Sequence, residues 1–292
     1  MKTIAQFYTL FWIIYFPTCI AFNELEGFGW IDEIMTVILM AFTFLNSSVS
    51  LNREPRGEYR LFLGILAFYV VYGLIFGENI EKAVLRDMVQ WIRPFSVIYC
   101  TWILNPRFTE RQKNVMLISM LVTLGAWFLY HPEVNVGADA EFPVLGQLAM
   151  CTGMTWYLWK PDNQKNAYIA LAIVLSGMLA PKFKFMGEVV CFVGFVFFLR
   201  GKLQFKSPKT ILALVVLLAV TLYVTWEKFD IYYVSGLNSN ELARPMSYRI
   251  AFTEIIWDYF PFGPGMGTWG CAAAADYYSP LLYKYHMSRV WG

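Results

Sequence analysis

Arg249-Ile-Ala-Phe-Thr-Glu-Ile-Ile-Trp-Asp-Tyr-Phe-Pro-Phe-Gly-Pro-Gly-Met-Gly-Thr-Trp269 is a polar, glycine-kinked stretch in an otherwise apolar chain. Its first half predicts a short amphipathic helix, and Pro261 ends that helix. Three glycines at alternate positions then permit tight turns and close approach of another group: Gly263, Gly265 and Gly267. Because a long series of apolar segments precedes it, we expect this stretch where the chain has just left a lipid bilayer.

The composition indicates a polytopic α-helical membrane protein. The 292 residues are 58% hydrophobic and 15% charged, whereas soluble domains carry about a quarter charged residues. Mean hydropathy is +0.48. Aromatic residues make up 18% of the chain, and Trp and Tyr concentrate at membrane interfaces. A net charge of +2 predicts no nucleic-acid partner, and the cysteines lack the spacing of a zinc site.

Nine apolar segments have about the length of membrane-spanning helices, which need about 17–25 residues. We therefore predict an all-α transmembrane bundle over residues 1–226 and an outer region over residues 227–292. The first segment lacks a signal-peptide cleavage site and is expected to be retained. The nine segments cover roughly residues 5–22, 31–49, 60–77, 86–104, 114–131, 143–160, 166–181, 185–200 and 209–226.

The distribution of Lys and Arg predicts the orientation of these spans. The loops at 23–30 and 132–142 hold acidic residues and no Lys or Arg. The positive-inside rule therefore places the N-terminus in the cytoplasm and residues 227–292 outside it. The basic residues collect in the alternate loops, at 50–59, 105–113, 160–166 and 200–209.

Several basic residues nevertheless fall on the predicted outer side, where the rule disfavours them. Charges in or near hydrocarbon are costly, so they tend to be paired or functional. Each can pair with a protein carboxylate or snorkel to the interface, or they can together bind an anion such as a diphosphate. The sequence leaves both alternatives open for Arg86, Arg93, Lys182, Lys184, Arg244 and Arg249.

The outer segment around Arg249 is predicted as a loop followed by a helix. Residues 227–248 are polar and contain Pro245, so we expect a loop there, with Ser247 capping a helix over about 249–259. Arg249 would then lie in the first helical turn, where the helix dipole disfavours a cation. This placement calls for a nearby anion, from a ligand or from a carboxylate such as Glu254.

An arginine-led helix ending in Pro-x-Gly-x-Gly-x-Gly resembles the O-antigen ligase/polymerase family of bacterial envelope glycan enzymes. The match runs from Arg249 through Trp257 to Pro261-Phe-Gly-Pro-Gly-Met-Gly267. It is close over residues 244–270 and loose over the remaining topology. The resemblance implies a fold similar to the lipid-linked-sugar glycosyltransferases with many transmembrane helices. It also implies an inner-membrane protein whose active side faces the periplasm.

The resemblance further implies transfer of a glycan from undecaprenyl diphosphate to an acceptor sugar hydroxyl, without a metal cofactor. The acceptor would be a growing glycan or a lipid A core, in O-antigen, capsule or exopolysaccharide assembly. The diphosphate would bind Arg249, a second base at the Ala180-Pro-Lys-Phe-Lys184 turn (Lys182 or Lys184), and Arg93. Candidates for the general base are His286, Glu254, Asp258 and Asp276.

Two departures from the family pattern bear on this interpretation. Family members commonly have further spans after the outer loop, whereas this chain stops at Gly292, so we expect a truncated chain. The ligase branch carries a histidine followed by a small polar residue, but Met287 follows His286. The sequence favours a polymerase-like enzyme without separating it from a ligase.

Two other functions fit a chain with many apolar segments. One is a transporter of lipid-linked oligosaccharides, and the other is a non-catalytic membrane assembly partner. Transporters often show repeated halves and helices broken near the bilayer midplane. The sequence has no repeated halves, and its polar element lies outside the predicted midplane. Enzyme function is therefore the favoured prediction.

Overall fold

The structure, a computed structural model, describes residues 2–24, 30–46, 54–130, 143–179, 183–199, 208–235 and 242–287. Within these residues the secondary structure is helical, and none of them forms a β-strand. The prediction of an all-α fold is confirmed.

Each of the nine apolar segments coincides with one helix. Short 3₁₀ or π turns extend three of them, at Gly177–Leu179, Gly194–Leu199 and Asp230–Val234. The helices are α1 (Lys2–Glu24), α2 (Ile31–Leu45), α3 (Glu54–Phe76), α4 (Glu81–Leu104), α5 (Glu110–Tyr130), α6 (Pro143–Trp159), α7 (Gln164–Ser176), α8 (Phe183–Val193) and α9 (Pro208–Phe229).

Two stretches among the described residues are long and apolar enough to cross a membrane. They are Pro55–Phe76 in α3 and Glu110–Leu129 in α5. The apolar stretch Phe185–Val196 in α8 is shorter. The nine segments are thus established as helices, whereas nine membrane crossings are not.

The chain divides into two compact units. The first unit contains residues 30–106 and 230–292, so the predicted outer region shares a unit with α2, α3 and α4. The second unit contains residues 2–29 and 107–229.

The second unit is held together by apolar contacts between neighbouring helices. Trp127 of α5 and Leu145 of α6 are buried in one cluster, and Val174 of α7 and Phe185 of α8 in another. Small residues let α6 lie close to α7, since a methyl group at Gly153 would come within 2.4 Å of the Val174 side chain. Helix α8 also packs against α9.

In the first unit, α4 lies between α2 and α3 and packs against both. The contact with α3 is aromatic, with the rings of Phe62 and Phe95 only 4.6 Å apart between centroids. The hydroxyls of Tyr59 and Ser96 add a hydrogen bond of 2.8 Å nearby. These contacts fix the two helices on which the predicted outer segment rests.

The predicted loop and helix around Arg249 require correction. Helix α10 (Ala243–Ile250) begins before Ser247 and continues through a π turn (Ala251–Ile255) into α11 (Ile256–Asp258). Pro245 does not break the helix because it lies in the first turn, where a backbone N–H has no intrahelical acceptor. Residues 230–234 are helical as well.

Arg249 therefore lies well inside a continuous helical run and not in its first turn. The argument that the helix dipole disfavours a cation there was wrong for this reason. Two short helices follow, α12 (Ala272–Asp276) and α13 (Pro280–Lys284). Residues 243–287, which we call the outer segment, have their own core, formed by Met246, Ile250, Ile255, Leu281, Tyr285 and Met287.

Candidate functional site

The residues between α11 and α12, which we call the glycine turn (259–271), lie against α3 and α4. The peptide bond between Phe260 and Pro261 is cis. Four glycines in the turn have left-handed backbone conformations, with φ between +70° and +95°: Gly263, Gly265, Gly267 and Gly270.

Gly267 is fixed by both of its backbone polar groups, one bonded to α4 and the other to the link that precedes α4. Its N–H donates to Asp87 Oδ2 at 2.9 Å, and its carbonyl accepts a hydrogen bond from the Asn79 side-chain amide. A β-carbon at this position would lie 2.7 Å from the backbone of Ala83. The absence of a side chain is thus what allows the turn to approach α4.

Gly265 makes the corresponding contact with α3. A β-carbon there would lie 3.2 Å from the α-carbon of Gly73 and 3.3 Å from that of Gly77. One turn of helix separates these two glycines, so they lie on one face of α3. The Tyr72 hydroxyl adds a hydrogen bond of 3.0 Å to the carbonyl of Gly263.

The sequence analysis did not predict the surface at the end of α3 that the glycine turn contacts. A sign of this surface is the stretch Gly73-Leu-Ile-Phe-Gly77, where two small residues four apart end an apolar segment. Such spacing is typical of surfaces where another backbone approaches closely in membrane helices. The glycine turn that the sequence singled out contacts residues that lie about 190 positions earlier in the chain.

A cavity of about 410 Å³ lies between α3, α4 and the glycine turn. This volume is within the range of small-molecule sites, roughly 300–1,000 Å³. Asp87 is the one acidic or basic side chain among the described residues that line it. Aromatic rings form much of the wall, from Phe62, Tyr69, Trp91, Phe95, Phe262 and Trp269.

Two buried polar atoms on this wall have no hydrogen-bond partner within the described part of the chain. Asp87 is only 5% exposed, and while its Oδ2 accepts from Gly267, its Oδ1 remains unsatisfied. The indole Nε1 of Trp269 is likewise buried and unsatisfied. Such groups are uncommon in folded proteins and costly to bury, so each requires an explanation.

The sequence analysis did not single out Asp87, because a carboxylate next to Arg86 is expected to form an ion pair with it. The structure pairs Arg86 with Asp276 of α12 instead, at 2.6 Å, and places the Arg86 guanidinium over the Tyr277 ring. Asp87 points to another side of α4 and enters the cavity wall. No pattern in the sequence distinguishes these two directions.

Cys271 also lines the cavity, close to Asp87. Burial of the thiol is the main cause that raises its pKa, and the negative charge of Asp87 adds to it, so the pKa rises from 9.0 to about 11. The thiol is therefore a weak nucleophile at neutral pH, since the thiolate is the reactive form.

We expect the alkylation rate of Cys271 by N-ethylmaleimide to keep rising with pH up to about 11. At pH 8 its thiolate fraction should be roughly 100-fold below that of an ordinary thiol, as the shift in pKa implies. The measurement is mass spectrometry of the 271 peptide after timed labelling at a series of pH values. Asp87→Asn should speed the reaction, because it removes a nearby negative charge. A rate that reaches its plateau near pH 9 would contradict the burial of the thiol.

Arg93, predicted to bind diphosphate, forms ion pairs within the protein. Its guanidinium lies 2.9 Å from Glu33 and 3.5 Å from Asp32, both in the first turn of α2. Of the two alternatives open for this arginine, the structure shows pairing with protein carboxylates.

Arg249 lies half-buried on α10, next to Ile250 in the core of the segment. Glu254 and His286 are exposed, and His286 has a left-handed backbone with φ of +58°. None of these three predicted site residues is among the described residues that line the cavity.

The other two candidates for a general base are engaged within the protein. Asp258 accepts a hydrogen bond from the Tyr285 hydroxyl at 2.8 Å and lies 3.4 Å from Lys284. The hydrogen bond from Tyr285 and then that from Lys284 lower the pKa of Asp258, which makes it a weaker base. Asp276 forms the ion pair with Arg86.

The predicted second cation lies largely outside the described residues. Lys182 falls outside them entirely, and Lys184 belongs to α8 of the second unit with its side chain not described. As for metals, the described His, Cys, Asp and Glu side chains form no cluster of three or more suited to hold an ion.

The chain matches no protein-family model, and no curated protein or solved structure gives a match either. The resemblance to the O-antigen ligase/polymerase family therefore remains a prediction from residues 244–270.

Proposed function

We propose that this protein is a bacterial inner-membrane glycosyltransferase of the O-antigen ligase/polymerase type. It would move a glycan from undecaprenyl diphosphate to an acceptor sugar hydroxyl at the periplasmic face. One observation carries the proposal. The arginine-bearing helix and the glycine turn are a folded segment with its own core, docked on the adjoining ends of α3 and α4.

The surface of α3 supports a membrane environment. Only 11% of the most apolar stretch of α3 is buried, and Leu61, Ile75 and Phe76 are each 66% exposed. A helix in the core of a soluble protein would bury such residues, and large exposed apolar surfaces mark contact with lipid or a partner. Exposed apolar side chains such as Phe44, Leu129 and Tyr223 extend the feature to α2, α5 and α9, and nine spans remain part of the proposal.

The position of the glycine turn agrees with the predicted orientation. The turn contacts Gly73 near the C-terminal end of α3, Gly77 and Asn79 in the following link, and Ala83 in the first turn of α4. The positive-inside rule places this link and residues 227–292 on the same, periplasmic side. Two regions distant in sequence, assigned to one side from charge alone, are therefore in contact in the first unit.

Glycosyl transfer from a diphosphate requires positive charge at the leaving group, which cationic side chains can supply without a metal. Arg249 would hold the diphosphate by paired hydrogen bonds, and the resemblance implies a second cation. The acceptor oxygen bonds to the anomeric carbon as the bond from that carbon to the phosphate oxygen breaks. The diphosphate leaves with the electron pair, stabilised by the cations. The hydroxyl proton passes to a base, for which Glu254 and His286 are exposed candidates on the same segment.

The test is transfer in vitro with the purified chain in lipid nanodiscs. We expect a lipid-linked oligosaccharide carrying undecaprenyl diphosphate to give longer glycan chains or a glycosylated lipid A core, seen by gel and mass spectrometry. Product formation should persist in EDTA, because cationic side chains replace a metal. The control donor carries undecaprenyl monophosphate, a poorer leaving group.

The other outcomes separate the competing functions. Movement of the donor across vesicle bilayers without a new glycosidic bond would indicate a transporter. Neither transfer nor movement, with binding to other envelope glycan enzymes, would indicate an assembly partner. Either result contradicts the proposed transferase.

A further inference from the structure

We propose that the cavity between α3, α4 and the glycine turn binds one hydroxylated sugar ring. Asp87 Oδ1 accepts a hydrogen bond from the ring, and Trp269 Nε1 donates one to it. The assignment of this ring to the acceptor glycan rests on the proposed function, whereas the binding of a sugar does not.

The two unsatisfied atoms determine the chemistry of the ligand. A buried carboxylate oxygen requires a donor, and a buried indole N–H requires an acceptor. Both residues line the same cavity, and both atoms are unsatisfied among the described residues. The Cys271 thiol beside the Asp87 carboxylate is only a weak donor. A hydroxyl group both donates and accepts, so a ring with neighbouring hydroxyls satisfies both atoms.

The apolar part of the wall fits the rest of a sugar. A pyranose presents C–H groups on its faces and hydroxyls on its rim, and aromatic side chains provide large, rigid apolar surfaces with a polar edge. Tyr69, Trp91 and Phe262 contribute such surfaces around the one carboxylate. The volume of about 410 Å³ lies within the range of small-molecule sites.

Two other ligands fit less well. A hydrocarbon tail would cover the aromatic wall but leave both Asp87 Oδ1 and Trp269 Nε1 without partners, at the cost of burying unpaired polar groups. An ammonium group would pair with Asp87 and could contact the aromatic faces. It has no acceptor to offer the Trp269 N–H.

Cys271, on the cavity wall, provides the readout. A variant that retains Cys271 but replaces Cys19, Cys100, Cys151 and Cys191 with alanine is placed in nanodiscs without any lipid-linked donor. Alkylation by N-ethylmaleimide at about pH 9, where more thiolate is present, is timed with and without methyl glycosides of glucose, galactose and N-acetylglucosamine. At least one glycoside should slow labelling, by about tenfold at a concentration ten times its dissociation constant.

Two variants test the assigned atoms. Asp87→Asn keeps an oxygen for the Gly267 N–H but presents an amide in place of the carboxylate, and Trp269→Phe removes only the N–H and part of the ring. Both should abolish protection by the glycoside. The matched control is Trp257→Phe, an exposed tryptophan of α11 that is not among the lining residues, and it should retain protection.

Several results would overturn the inference. One is that no glycoside slows labelling while 1-decanol does, which would make the cavity a site for a lipid tail. Another is unchanged protection in Trp269→Phe, a variant that leaves the bond between Asp87 and Gly267 in place. Because the assay needs no donor, transfer without protection contradicts this site alone, and protection without transfer contradicts the proposed reaction alone.

Discussion

Replacing Gly267 with alanine should detach the glycine turn from α4. The new β-carbon would lie 2.7–2.8 Å from three backbone atoms of Ala83 and Val84, which cannot move aside as a flexible side chain can. Alanine would also have to adopt φ of +73°, at roughly 1–2 kcal/mol, in addition to roughly 1–3 kcal/mol for overpacking. We therefore expect about 3 kcal/mol or more of local destabilisation.

Hydrogen exchange of the peptide covering residues 263–271 measures this effect. The Gly267 amide, which donates to buried Asp87, should lose about 100-fold or more in protection, since every 1.4 kcal/mol is about tenfold. Gly263→Ala is the matched control because Gly263 has a similar φ of +78° but open space around its β-position. Equal losses in the two variants would show that backbone strain, and not contact with α4, governs the turn.

Replacing Arg249 with alanine should abolish glycan transfer while leaving the protein folded in the membrane. Loss of one well-placed group that stabilises developing negative charge costs about 10²–10³-fold in rate. Arg249→Lys should also be impaired, because an ammonium group lacks the two-pronged geometry that matches phosphate oxygens. The measurement is the rate of product formation in the nanodisc assay.

Arg244→Ala is the control for Arg249. Arg244 lies on the same helix, five residues earlier, and is more exposed, so its loss should leave transfer near the wild-type rate. The alkylation rate of Cys271 in each variant reports whether the glycine turn is still docked. Wild-type transfer by Arg249→Ala would refute the role of its guanidinium, and equal losses at both positions would point to a general effect of positive charge.

The helices were predictable because their signal is local. All nine apolar segments coincide with helices, because a long run of apolar residues is visible in the sequence without knowledge of the fold. The start of α10 was predicted several residues too late. Pro245 has opposite meanings in a loop and in the first turn of a helix, and only the hydrogen bonds of the neighbouring residues distinguish the two.

The candidate site was only half predictable. The glycines of the turn were visible as a motif, but the surface they contact on α3 and α4 was not, because the contact joins segments about 190 residues apart. Arg93 shows the converse. Its charge suggested a ligand, and the partners that the structure gives it, Glu33 and Asp32, come from a different helix.

The sequence by itself determined that this chain is helical, how many apolar helices it has, and which stretch breaks their pattern. These properties depend on composition and on residues close together along the chain. Only the tertiary structure decided that Asp87 turns away from Arg86 into an aromatic cavity beneath the glycine turn. The direction of a side chain and its hydrogen-bond partners depend on which helices pack together, and that information is distributed over the whole fold.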